Sequence, residues 1–148
     1  VAPPIRSEEH RLSLIEALRD GTIDCIATDH APHNIEEKEN DFIHASCGMI
    51  GLETAFSSSY TALKKEKISI EKIISLFTSG PCRVMNIQKE FLTKGNAAEI
   101  VVIDLEKEWR VSEDDFKSKS SNSGFIDETL SSKVIYTISG KDCFINNY

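Results

Sequence analysis

Apolar residues near the start of the chain recur at helical spacing. Leu12, Ile15 and Leu18 follow one another at three-residue steps, with Leu14 flanking, and make one stripe. Ser7 stands before the stripe as a good N-cap, and Glu8 and Glu9 fall in the first turn, where the helix dipole favours acids. Gly21 is the stop signal. The pattern predicts a helix over 7–20. The period then breaks. Ile23, Cys25, Ile26 and Ala27 form a short apolar run with one acid at Asp24, bounded by Gly21 and Pro32. A strand buried on both faces reads this way, and the expected strand covers 22–28. A helix, a one-residue stop and a buried strand make the second half of a βαβ unit.

From His33 to Gly48 the chain is polar and irregular, with Glu36, Glu37, Lys38, Glu39 and Asp41. This is too long for a routine connection and reads as an active-site loop. Leu52, Ala55, Phe56, Tyr60 and Leu63 predict a helix over roughly 51–64. Ser69 caps another that carries Ile70, Ile73, Ile74, Leu76 and Phe77 and ends at Gly80-Pro81, with a short helix expected over 81–86. After that the period becomes two. Glu99 to Leu105 reads as a strand, Trp109 and Val111 as a second extended piece, and Val134 to Ile138 as a strand leading into a Ser139-Gly140 hairpin. Phe144-Ile145 fits the return strand. Lys117 to Gly124 is rich in Ser and Lys and is expected to run over the surface. So few strands need a partner sheet or helix to be stable.

A chain of 148 residues with 40% apolar and 28% charged content is globular. Its net charge of −7 excludes a nucleic-acid surface, which needs clustered Lys and Arg. Lys64, Lys65 and Lys67 are interrupted by Glu66 and read as a solvated helix end. Cys25, Cys47, Cys82 and Cys143 form no C-x-x-C pair, which points to a reducing, cytoplasmic setting. No apolar run approaches the roughly 20 residues of a membrane helix. Nothing reads as a signal peptide. Val1-Ala2-Pro3-Pro4-Ile5-Arg6 lacks an initiator Met and reads as the middle of a loop, so a piece of something longer is expected.

Asp29, His30 and His33 lie just past the last apolar residue of the expected strand. In parallel α/β proteins chemistry gathers at that edge, because loops converge there over a rigid floor. Carboxylate and imidazole both bind zinc, but a structural zinc site needs four ligands and a catalytic one three plus an open position. The remaining histidines are His10, on the preceding helix, and His44. From the residues alone two readings stand: metal ligands, or polar residues capping a turn. If the strand continues, His30 points away from Asp29 and supports it through hydrogen bonds. Arg6 fits a substrate contact or a surface ion pair. Glu53, Tyr60 and Trp109 read as structural.

Ala27-Thr28-Asp29-His30-Ala31-Pro32-His33, followed by Glu36-Glu37-Lys38 and Gly51-Leu52-Glu53-Thr54-Ala55, resembles the C-terminal part of the class I dihydroorotases of the amidohydrolase superfamily. The resemblance extends over nearly the whole chain. Pro3 to Ser7 resembles the loop after barrel strand seven, Asp24 to Asp29 strand eight, and Gly95 to Asp104 the return to a small β domain. Ser118-Lys119-Ser120 and Lys133 to Ile138 resemble the closing segment. It implies an α/β fold: the C-terminal segment of a (β/α)8 barrel, its last one or two βα units, over 1–94, then a small β subdomain over 95–148. It implies a zinc enzyme, with one or two ions, that interconverts N-carbamoyl-L-aspartate and L-dihydroorotate in pyrimidine biosynthesis. Asp29 would be zinc ligand and general acid–base. His33 would contact the substrate carboxylate, and the backbone around Cys47 and Gly48 would hold the dihydropyrimidine ring. A homodimer, and aspartate carbamoyltransferase as a partner, are implied as well.

The sequence departs from the family pattern in places. Ala2 stands where the family has an Asn that contacts substrate, Ser46-Cys47 replaces Pro-Phe, and Asp127 falls where Gly is common. The His-x-His of the first barrel strand, the bridging Lys or Asp and the two middle histidines have no counterpart here. The chain alone is therefore expected to be catalytically silent and prone to self-association. Two other readings remain. One is another cyclic amidohydrolase, such as a hydantoinase or allantoinase. The other is a non-catalytic dihydroorotase-like partner of aspartate carbamoyltransferase.

Overall fold

The computed structural model describes residues 1–90 and 92–146. Five helices come first: α1 (Glu8–Asp20), α2 (Ile35–Lys38), α3 (Ala55–Lys65), α4 (Ile70–Phe77) and α5 (Ser79–Val84). Strands β1 (Glu99–Arg110), β2 (Thr129–Ser139) and β3 (Asp142–Ile145) follow, with a 3₁₀ turn at Glu113–Asp115 between the first two. The architecture is α/β.

The helix ends follow the cap chemistry. Ser7 Oγ accepts from the His10 amide at 3.2 Å, and Gly21 closes α1 with φ 90°, a left-handed conformation that glycine adopts without a Cβ penalty. Ser69 Oγ accepts from the Lys72 amide and starts α4. Only half of the α1 stripe is covered: Ile15 and Leu18 are buried, whereas Leu12 and Leu14 are exposed. The core lies where α1, α3 and α4 meet. It consists of Ile15, Leu18, Tyr60, Leu63, Ile68, Ile73 and Leu76. Phe56 packs on it, stacked on Tyr60 with centroids 6.1 Å apart and tilted against Phe77 at 5.7 Å. α3 starts at Ala55 rather than 51, because Leu52 to Thr54 form a turn that leaves Leu52 exposed.

Residues 22–28 are not a strand. Among the described residues no ladder forms there, and Asp24, Ala27 and Thr28 are exposed while Cys25 and Ile26 are half-buried. The apolar run is real, but a strand is defined by its neighbours. A central parallel strand takes hydrogen bonds from two of them, and the described residues place none along this run. It is anchored instead by single bonds: Ile23 N to Ala17 O at 2.9 Å and Ile26 N to Leu76 O at 3.0 Å.

The sheet is antiparallel in the order β1-β2-β3. The Glu99 strand and the Trp109 piece, expected as two, join into one twelve-residue strand with irregularities after Val102 and after Asp104. The hairpin forms as expected: Gly140, with φ 61°, and Lys141 connect β2 to β3. β2 docks on α3 through polar contacts. Ser57 Oγ donates to Ser132 O at 2.8 Å, and the Ser131 amide donates to Thr61 Oγ1 at 2.8 Å. The Trp109 indole also donates to Ser132 O, and the Lys133 ammonium lies 4.1 Å over its ring. Burial pushes the Lys133 pKa down, against the opposing pull of Asp115 at 3.4 Å.

Candidate active site

Three backbone strings meet at the end of the 22–28 segment: 29–33, 46–51 and 120–122. His30 and Met49 form a parallel bridge, and the Ala31 amide donates to Met49 O at 3.0 Å. The loop that leaves at His33 therefore returns beside its own start. The excursion is not wholly irregular, since it contains α2, capped by Asn34 Oδ1 on the Glu37 amide at 2.8 Å. In its outer turn, hydrogen bonds from His44 and Ile43 hold the Asp41 carboxyl below the usual range, the His44 side chain contributing most.

Asp29 has φ 45°, in the left-handed region that Asp tolerates better than most residues. It is exposed, and among the described residues no hydrogen bond or ion pair engages its carboxylate. His30 Nδ1 accepts from the Gly51 amide at 3.1 Å, so its other nitrogen carries the proton and the ring braces the turn beneath Asp29.

His33 is held from both sides. Nδ1 lies 2.9 Å from Glu37 Oε2, and Nε2 lies 2.9 Å from Cys47 O. Both partners accept, so the ring donates to both only as the imidazolium. A substrate carboxylate would have to displace or share one of these acceptors.

In the Cys47–Gly48 loop the carbonyls are engaged and the amides are not. Cys47 O faces His33. Gly48 O accepts from Lys38 Nζ at 3.0 Å and from Asn122 Nδ2 at 3.3 Å, and Lys38 Nζ also reaches Ser46 O at 2.7 Å. Among the described residues the Cys47 and Gly48 amides donate to nothing. Such a loop offers N–H donors to an acceptor atom. Gly48 has φ 111°, and a Cβ there would lie 2.7 Å from Ala31 Cβ. Gly48→Ala therefore pushes the loop off His33. Strain and crowding cost about 1–3 kcal/mol. The expected result is a rise in KM of about tenfold, read by steady-state kinetics. An unchanged KM would show that this loop does not touch substrate.

The residues expected at the site fall into two groups. The structure joins His33 to Cys47 O directly and leaves room for little more than hydrogen at Gly48 beside them, whereas Asp29 shares none of these hydrogen bonds. Arg6 is exposed and, among the described residues, joins no ion pair; His10 and His44 serve local turns. Glu53 Oε1 accepts from the Lys117 and Ser118 amides, a structural tie. Residues 117–124 do not simply run over the surface. Ser118, Ser120 and Asn122 are half-buried, and Asn122 bonds to both site loops. Asn122 carries no sequence signal beyond a Ser-rich string. Ser118 to Ser120 lie in the same string, and only the family resemblance links them to the rest of the chain.

The donor set does not make a metal shell by itself. Among the described residues no three His, Cys, Asp or Glu side chains converge, and Asp29 is a single carboxylate. No described helix is long and apolar enough to cross a membrane.

Comparison with known proteins places the chain in a family. A dihydroorotase of Elusimicrobium minutum is 43% identical over 98% of the chain, and one of Aquifex aeolicus 45% identical over 93%. The chain spans only 34% and 32% of their lengths, about a third. Among solved structures, an L-hydantoinase (dihydropyrimidinase) from Arthrobacter aurescens superposes with a TM-score of 0.87 at 30% identity; the match takes in 99% of this chain and 34% of that one. The amidohydrolase family pattern matches residues 5–140, nearly the whole chain, and on that match the chain belongs to the amidohydrolase family.

Proposed function

We propose that these residues are the C-terminal portion of a dihydroorotase, a cyclic amide hydrolase that interconverts L-dihydroorotate and N-carbamoyl-L-aspartate. Residues 1–94 would supply the last one or two βα units of a (β/α)8 barrel, and 95–148 a small β subdomain. The neighbouring strands of that barrel would then complete the 22–28 segment.

The observation that carries the reading is an uncommitted carboxylate at Asp29, one residue before the His30–Met49 bridge that returns the Cys47–Gly48 loop, with its free amides, to this turn. Relatives named dihydroorotase, 41–45% identical, support dihydroorotate as the substrate. In hydrolysis Asp29 takes a proton from the attacking water and returns it to the ring nitrogen as the amide bond breaks. In cyclisation the ureido nitrogen attacks the carboxyl carbon, and Asp29 takes that nitrogen's proton and delivers it to the departing hydroxyl, which leaves as water. His33 pairs with the substrate carboxylate through Nε2 once it gives up or shares Cys47 O. The Cys47 and Gly48 amides donate to the ring. Asp29 would also contribute one ligand to a metal shell, of one or two zinc ions, completed from outside these residues, where the metal would lower the pKa of the attacking water. Four free cysteines among the described residues suit a reducing cytoplasm. The exposed Leu12, Leu14 and sheet edge suit a homodimer or a larger assembly with aspartate carbamoyltransferase.

The test is steady-state turnover of L-dihydroorotate, hydantoin and allantoin by the full-length protein. The expected kcat/KM on dihydroorotate exceeds the others by about 10²-fold or more, because a site built to pair a carboxylate rejects analogues without one. A preference for hydantoin or allantoin would move the assignment to those enzymes. No turnover, with a carbamoyltransferase co-purifying, would make the chain a non-catalytic partner.

A further inference from the structure

We infer that Asn122 is a positioning residue for the substrate-binding side of the site, setting the separation between the His33 turn and the Cys47–Gly48 loop. The inference rests on the dihydroorotase reading for its kinetic consequence, though not for its geometry.

Asn122 lies 89 residues from His33 in sequence and half-buried between the two loops. Every hydrogen-bonding position of its side chain is used. Oδ1 accepts from the His33 amide at 3.2 Å and from Ser120 Oγ at 2.5 Å. Nδ2 donates to Ala31 O at 3.0 Å and to Gly48 O at 3.3 Å. Its own carbonyl accepts from the Ile50 amide at 3.0 Å. Ser120 Oγ also lies within reach of His33 O, and its single proton serves one of these two oxygens at a time. One planar amide thus bonds to the backbone on both sides of the gap. On the His33 side it fixes the turn that aims the imidazole. On the other it shares Gly48 O with Lys38 and so holds the end of the Cys47–Gly48 loop. Two donors and two acceptors in one plane is the capacity of Asn and not of Asp. An Asp there would set an oxygen against the Ala31 and Gly48 carbonyls. Asn122 touches neither Asp29 nor a reacting atom, so its effect should fall on binding and not on the chemical step.

The experiment compares Asn122→Asp, nearly isosteric, and Asn122→Ala with the parent in the full-length protein. Two readouts are taken: steady-state kinetics on L-dihydroorotate, and hydrogen exchange of the Ala31, His33 and Ile50 amides. The expected result is a KM raised about tenfold in both variants with kcat within about threefold, since two or more hydrogen bonds are lost or reversed. The three amides should exchange at least about tenfold faster. A KM within twofold of the parent in either variant would overturn the inference. So would a fall in kcat at constant KM, which would place Asn122 in the chemistry. If the parent itself does not turn over dihydroorotate, the functional reading fails, and the exchange rates still decide the clamp: unchanged protection in both variants overturns it. Should Asn122→Ala not fold, Asn122→Asp carries both readouts.

Discussion

Asn in place of Asp29 lowers kcat on dihydroorotate by about 10²–10⁴-fold in the full-length protein, the span of a lost general acid–base group. Asn has the same shape and cannot take a proton. It also tolerates the left-handed backbone found at φ 45°, so the turn has no reason to move. The carboxylate engages no other described residue, so no structural bond is lost. Melting temperature should stay within about 2 °C, because surface changes away from such bonds cost no more than roughly 0.5 kcal/mol. KM should stay within about threefold, because the proposed binding groups are His33 and the Cys47–Gly48 amides. A kcat within threefold of the parent would remove Asp29 from the mechanism.

The largest effect on stability is expected at Gly80. This buried residue of α5 sits against the backbone of the segment that leads to Asp29. A Cβ there would lie 2.1 Å from Asp24 O and 2.9 Å from Ser75 O. Both obstacles are main chain, so no side chain can swing aside. Overpacking costs typically about 1–3 kcal/mol, and two backbone clashes put Gly80→Ala near the top of that range. At about 2–4 °C per kcal/mol, the melting temperature should fall by roughly 6–12 °C. Displacement of Asp24 would also move Asp29, so kcat should fall with it. Gly124→Ala is the control: its Cβ meets only Met49 Sδ at 3.4 Å, an ordinary contact. Equal melting temperatures for the two variants would mean that α5 does not pack on the 22–28 segment as described.

What the sequence revealed depended on whether the signal was local. Ser7, Ser69 and Gly21 are caps, and the helices they bound formed where expected, because a cap is satisfied within its own turn. Ser139-Gly140 gave the hairpin for the same reason. The 22–28 run misled, since apolar composition announces a strand but only a neighbour makes one. Leu12 and Leu14 show the same gap: their spacing is helical and they lie on a helix, but nothing in a stripe says how much of it will be covered. At the site, the Ala27–His33 motif flagged Asp29 and His33. The second acceptor on His33, and the whole role of Asn122, depend on contacts between residues 14 and 89 positions apart, which no window along the chain contains.

The central claim is that these 148 residues carry one arm of a composite centre, an acid–base carboxylate and a substrate cradle, and not a metal site of their own. Calorimetric titration of zinc into the isolated chain at neutral pH tests it most directly. No stoichiometric tight binding is expected, because Asp29 is a single ligand where at least three are needed and no such group converges among the described residues. A stoichiometric, high-affinity site abolished by Asp29→Asn would contradict it. His30, His33 or a second copy of the chain would then complete the shell, and the isolated chain would have to be assayed as an enzyme in its own right.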